Sequence, residues 1–189
     1  MLRHDLPGGA YLRLLEEADA PELFALVDRN RAGLEPWLPW VPATRGPDDT
    51  LEFIRASRRK VADNDGLGLA IVDAGGAIAG VIDFRGVDWA NRGTSIGYWL
   101  SEDAQGRGLV TAAVRALIDH AFDVWRLHRV EIWAAVDNTR SRAVAERLGL
   151  REEGVRRAAE RHGERYLDLV VYAVLAADWP PPGSCGRRR

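Results

Sequence analysis

Apolar and polar positions are most regular between Val110 and Val124, where Val110, Val114, Leu117, Ala121 and Val124 recur three or four residues apart. That spacing predicts a helix with one buried face. Upstream, Gly93–Leu100 (GTSIGYWL) reads as a strand, and Val130–Val136 as the strand after the helix. A strand, helix, strand order with one helix between implies a parallel pair with a right-handed crossover. Tyr11–Leu15 reads as a first strand. Asp19 and Glu22 look like an N-cap and its capping-box partner for a helix running to Asn30 along Leu23, Leu26 and Val27. A second helix is expected over Asp48–Ala62, acidic at its start and basic near its end, as the dipole favours. Leu67–Val72 and Ile78–Phe84 predict a hairpin around Asp73-Ala74-Gly75-Gly76. Asn138 is placed to cap a helix that Gly149 stops, with Leu150 as the apolar residue beyond. Arg151–Ala159 and Leu167–Leu175 predict a closing hairpin, its turn near His162-Gly163. The second of these strands is apolar on both faces and is expected to be central.

Between the predicted strand and the predicted central helix stands Gln105-Gly106-Arg107-Gly108-Leu109-Val110. The first turn of a helix has unpaired N–H groups and partial positive charge, so a phosphate is stabilised there. Gly106 and Gly108 allow positive φ and close backbone approach, and Arg107 adds a full charge. The stretch is not a P-loop, because Leu109 and Val110 stand where Lys and Ser/Thr are required. No G-x-G-x-x-G dinucleotide fingerprint can be laid on it either. An ordinary strand-to-helix turn is the alternative reading.

Composition narrows the classes. At 189 residues, 47% hydrophobic and 29% charged, the chain reads as one soluble domain over 1–178 with a Pro- and Arg-rich disordered tail at 179–189. A formal net charge of −2 gives no long-range attraction to nucleic acid or anionic lipid. No apolar run is long enough to span a bilayer, and MLRHDLPGG lacks a signal-peptide core, so a cytoplasmic protein without a membrane partner is expected. Cys185 is the single cysteine and the four histidines lack ligand spacing, so no metal is expected.

Gln105–Val110 resembles the Q/R-x-x-G-x-G/A motif of the GNAT superfamily of acyl-CoA N-acyltransferases, with Val110 where Gly or Ala is usual. The similarity extends over most of Tyr11–Ala176. Asn30–Trp40 (NRAGLEPWLPW), with three prolines through Pro42, is similar to the loop between the first two helices in the RimJ/RimL branch, whose members acetylate protein N-terminal amines. The resemblance implies a three-layer α/β fold of mixed α+β type. Its sheet would be mostly antiparallel, with one splayed parallel pair and helices on both faces.

The resemblance also implies acetyl-CoA as co-substrate, its pantetheine arm lying between the splayed strands. Tyr98, Trp99, Leu100, Gln105, Gly106, Arg107, Gly108, Leu109, Val110, Thr111, Asn138 and Ser141 would hold it. Trp37, Trp40 and Asp83 are expected on the acceptor side. Ser141 shares the buried stripe of its helix with Val144 and Leu148 and is the candidate proton donor. The tyrosine many GNAT enzymes use is Ala145 here, which leaves open a mechanism with no side-chain acid. Glu160 is the candidate base by resemblance to RimL-like enzymes, ahead of Glu102 and Asp103.

The acceptor is expected to be the α-amine of a protein or peptide. A small-molecule amine, a larger acyl group such as succinyl, and a non-catalytic acyl-CoA-binding module are the alternatives. Exposed tryptophans offer a face for a homodimer.

Overall fold

The computed structural model describes residues 3–180, so Cys185 and all but the start of the expected tail lie outside the described residues. Eight strands make one sheet: β1 (Arg3–Asp5), β2 (Tyr11–Leu14), β3 (Gly68–Val72), β4 (Ile78–Asp88), β5 (Gly93–Leu100), β6 (Arg129–Ala135), β7 (Arg151–His162) and β8 (Arg165–Leu175). Their spatial order is β1-β2-β3-β4-β5-β6-β8-β7. β5 and β6 are parallel; every other neighbouring pair is antiparallel. The helices are α1 (Ala20–Arg29), α2 (Arg31–Leu34), α3 (Pro47–Ala62), α4 (Leu109–Asp123) and α5 (Thr139–Arg147).

Neighbouring residues of β3 show how the layers are divided. Ala70 and Val72 pack with Leu23 and Leu26 of α1 and Ile54 of α3, whereas Leu69 and Ile71 join the core beneath α4 and α5. Successive strand residues face opposite sides, so α1 and α3 cover one face and α4 and α5 the other. On the α1/α3 face, β6 and β7 are instead paved by polar side chains. Arg129 pairs with Glu131 and Glu153, Trp133 donates to Glu131 at 2.6 Å, and the Arg156 guanidinium lies 4.6 Å from the Trp133 ring centre. As expected from its apolar sequence, β8 is internal, between β6 and β7.

Four details differ from expectation. Asp19 does not cap α1 through its side chain; its carboxylate accepts the Glu16 N–H at 2.8 Å and pairs with Arg13. Glu22 is drawn away to the Ile78 N–H, 2.8 Å off, tying α1 to the sheet. β7 runs on to His162, which makes His162 a strand residue rather than part of the turn, and leaves Gly163 (φ 59) to make the reversal. Trp179, expected to begin the tail, is packed: its Nε1 donates to Asp119 at 2.6 Å and its ring meets Phe122. The helix stop at the end of α5 is as expected, with Gly149 at φ 78 and the Leu150 N–H returning to the Ala145 carbonyl.

Candidate active site

Pairing between the parallel strands lasts only from Gly93/Arg129 to Ile96/Ile132. Beyond that, β5 stays paired to β4 as far as Leu100, and β6 to β8 as far as Ala135, so the two strands part. The edge of β5 facing β6 therefore has unpaired main-chain groups from Gly97 onward. The gap opens at the carboxyl ends of parallel strands, where ligands bind in α/β sheets.

At the mouth of the gap lies the glycine loop. Gly106 and Gly108 have φ of 75 and 76, a left-handed conformation that disfavours side chains. Gly108 precedes α4, so the amides of Leu109, Val110 and Thr111 form its first turn. The Val110 side chain packs against the core, so its bulk turns away from the loop. Two arginines of α5 reach the same place: Arg140 donates to the Gln105 carboxamide at 2.9 Å, and Arg147 lies 3.5 Å from the Thr111 hydroxyl. With Arg107 they surround the loop with positive charge. Trp99 and Leu100 enter the packing of the sheet; Trp99 lies against the apolar groups under α1 and the Trp37–Trp40 loop.

Inside the gap, Asn138 accepts the Ser141 N–H at 3.1 Å, which fixes the first turn of α5. The Tyr98 hydroxyl crosses from β5 to donate to the Ser141 carbonyl at 3.0 Å and lies 3.1 Å from the Ser141 Oγ. Burial, partly offset by the Ser141 hydrogen bond, pushes the Tyr98 phenol up to about 12. Ala145 is fully buried. A phenol thus reaches Ser141 from β5, while the α5 position at which the resemblance implies a tyrosine is Ala145.

A cleft of about 470 Å³, open solvent included, adjoins this region. Ile96, Gly97, Tyr98, Asn138 and Ser141 line one part of it, and Trp37, Leu38, Arg85, Trp133 and Glu160 the other. Trp40 is not among the lining residues; it stacks obliquely on Trp99, ring centres 6.1 Å apart. Asp83 sits opposite Gly97. A Cβ at Gly97 would stand 2.7 Å from both the Asp83 Oδ1 and the Arg85 Nε, so the missing side chain makes room for these two groups. Burial raises the Asp83 carboxyl above its usual range, against the lowering charges of Arg85 and Lys60. Glu160, on β7 opposite Leu167, has its Oε2 3.0 Å from the His162 Nε2. Glu102 and Asp103 are in an exposed turn before the glycine loop, outside the cleft, and the Glu102 N–H is held by the Asn30 side chain at 2.8 Å.

Residues 10–151 match the family model described as acetyltransferase (GNAT) domain. The chain belongs to the GNAT acetyltransferase family. It is 38% identical over 169 residues to YdaF of Bacillus subtilis (strain 168), covering 89% of this chain and 92% of that one. It is 30% identical over 168 residues to the ribosomal-protein-serine acetyltransferase of Escherichia coli (strain K12), covering 87% and 91%. A solved structure of RimL, the ribosomal L7/L12 α-N-protein acetyltransferase, in complex with coenzyme A superposes with a TM-score of 0.86 at 29% identity over 90% of this chain and 96% of that one.

For a GNAT enzyme the donor groups are well matched: left-handed glycines, a helix start, three arginines and an unpaired strand edge suit a nucleotide diphosphate with a pantetheine arm. Arg140, Arg147, Arg85, Trp133 and His162, together with the Tyr98 hydroxyl, were not found from the sequence. For Arg140 and Arg147 a signal existed in their seven-residue separation, which puts both on one side of a helix. Arg85 and Trp133 give none, because strand alternation says which face they take but not that the face is a cleft.

Proposed function

We propose that this enzyme transfers the acetyl group of acetyl-CoA to the N-terminal α-amine of a protein or peptide, with a serine N-terminus as the first candidate. The observation that carries this reading is that Ser141, Tyr98 and Glu160 all line one and the same cleft. The names and coenzyme A complex of the relatives support it.

The chain's contributions follow from its groups. Main-chain amides of the glycine loop and α4, with Arg107, Arg140 and Arg147, bind the diphosphate end. Unpaired groups of β5 past Ile96 hold the pantetheine and donate to the carbonyl oxygen as it gains charge. The thioester supplies an activated acetyl group. Ser141, hydrogen-bonded to Tyr98, delivers a proton to the departing sulfur. Trp37 lines the acceptor's approach, and Asp83 stands opposite Gly97. Glu160 takes the amine proton, directly or through one water.

An α-amine suits so modest a base. Near pH 7.5 about a quarter of α-amines are already neutral, against about one lysine in a thousand. Holding both substrates in one cleft supplies much of the remaining acceleration.

The test uses the full chain, acetyl-CoA and a synthetic peptide beginning with serine and containing one internal lysine. Mass spectrometry is expected to locate the acetyl group on the α-amine, with stoichiometric thiol release. Acetylation of the lysine alone, or thiol release only with small polyamines, would overturn the reading.

A further inference from the structure

We infer that His162 is the positioning residue for Glu160, a role that rests on the reading of Glu160 as the base. The imidazole is almost wholly buried, its side chain 5% exposed, and its Nε2 lies 3.0 Å from the Glu160 Oε2. An ionised carboxylate can only accept, so Nε2 carries the proton of this bond. One oxygen of Glu160 is thereby held, while none of the described hydrogen bonds reaches the other.

The backbone around the pair has the form of a device that aims it. Between Arg156 and Glu160, β7 takes four steps while β8 takes two, from Leu169 to Leu167. Two extra residues preserve strand parity, so Glu160 and His162 stay on the face that carries Arg156 and Trp133. The bulge is strained, with Ala158 at φ 48, and is fixed by the Ala158 N–H donating to Asp168 at 2.7 Å. Strain of this kind persists where surrounding bonds determine it.

A second cleft lies on the other side of the imidazole. His162 lines a space between the hairpin tip and the Pro-rich loop, with Glu35, Pro36, Pro39 and Arg165, and the Arg165 guanidinium reaches the Pro36 carbonyl at 3.4 Å. Glu160 lines the inner cleft and His162 the outer one. The imidazole therefore stands between them, facing the loop across the outer cleft and bonded to the carboxylate of the inner one. Freed of that bond, a glutamate side chain samples several rotamers, and its useful oxygen is aimed only part of the time.

Three variants, His162→Phe, His162→Gln and Glu160→Gln, together with the double variant His162→Phe/Glu160→Gln, test this with the serine peptide and acetyl-CoA. His162→Phe fills the space without a donor and is expected to lower kcat about 10- to 100-fold, the range seen when an orienting partner is removed at metal-bound histidines. KM for acetyl-CoA is expected to stay within about twofold, since the donor loop is untouched. His162→Gln, which can present an N–H, is expected to recover most of the loss. In the Glu160→Gln background the phenylalanine is expected to add nothing, because both changes remove one unit.

A wild-type kcat in a folded His162→Phe, or an undiminished further loss in the Glu160→Gln background, would overturn the positioning role while leaving Glu160 as base. A Glu160→Gln enzyme with undiminished kcat would instead remove the base assignment, and this role with it. If His162→Phe does not fold, the same decision is made on His162→Ala, whose kcat is expected to fall and to be partly restored by added imidazole.

Discussion

The two sides of the cleft are built from different materials. On the proposed donor side the main chain offers the binding groups: two left-handed glycines, the first turn of α4 and the bare edge of β5. On the proposed acceptor side there are side chains from distant parts of the sequence, Trp37 from the Pro-rich loop, Arg85 from β4 and Glu160 from β7, brought to one cleft, with Asp83 nearby on β4. A backbone site tolerates change in its side chains, as Val110 shows by turning into the core. A side-chain site changes its substrate with each substitution.

This contrast can be broken from either side. The largest effect is expected from Glu160→Gln, a fall in kcat of about 10² to 10⁴ with KM for acetyl-CoA unchanged, read by steady-state kinetics from pH 6 to 9. Turnover near wild type across that range would remove the acceptor side's base. Next, Gly108→Val forces a β-branched residue to φ near 76, at a cost of about 1–2 kcal/mol. Calorimetry is expected to show acetyl-CoA binding weakened by about tenfold, with peptide KM little changed. Tyr98→Phe removes the hydroxyl's hydrogen bonds to the Ser141 carbonyl and Oγ; loss of the one to the Oγ is expected to lower kcat by about fivefold, the equivalent of ~1 kcal/mol.

Arg140→Ala is expected to weaken acetyl-CoA binding by about threefold at low ionic strength and less at 0.5 M salt, as for a partly exposed charge. A separate effect concerns stability rather than activity. Asp83 has its folded-state pKa raised by burial, so the penalty for ionising it grows as pH rises above the ordinary aspartate value of 3.8 and is absent below it. Asp83→Asn is therefore expected to raise Tm by about 2–4 °C at pH 7, the shift that ~1 kcal/mol produces in a chain of this size, and to give no gain near pH 3. A Tm gain equally large at pH 3 would show that packing rather than charge is responsible.

How far each side could be read beforehand follows from the same contrast. Gly106 and Gly108 announce the donor loop because their φ values admit few other residues, and Asn138 and Gly149 mark the ends of α5 for similar backbone reasons. The parallel pair followed from periodicity and connection length. The Asp19/Glu22 box failed because two longer-range partners, Arg13 and the Ile78 amide, compete for those carboxylates, and local spacing cannot see them. His162 was assigned to a turn by its neighbour Gly163, although the strand continues through it. Tyr98 was expected among the residues that hold the co-substrate; that its hydroxyl reaches Ser141 depends on the distance between β5 and α5, which no sequence pattern encodes.

β7 lies at the margin of the sheet, and eleven of its twelve residues are wholly or partly open to solvent. A naked margin of that length is a template on which another polypeptide can add itself. Seven charged residues and two irregularities, at Glu152/Gly154 and Arg156/Glu160, spoil the template. The kink beside Glu160 thus guards solubility as well as aim, and straightening it by removing Ala158 and Ala159 would create a sticky border in the same stroke that misdirects the carboxylate.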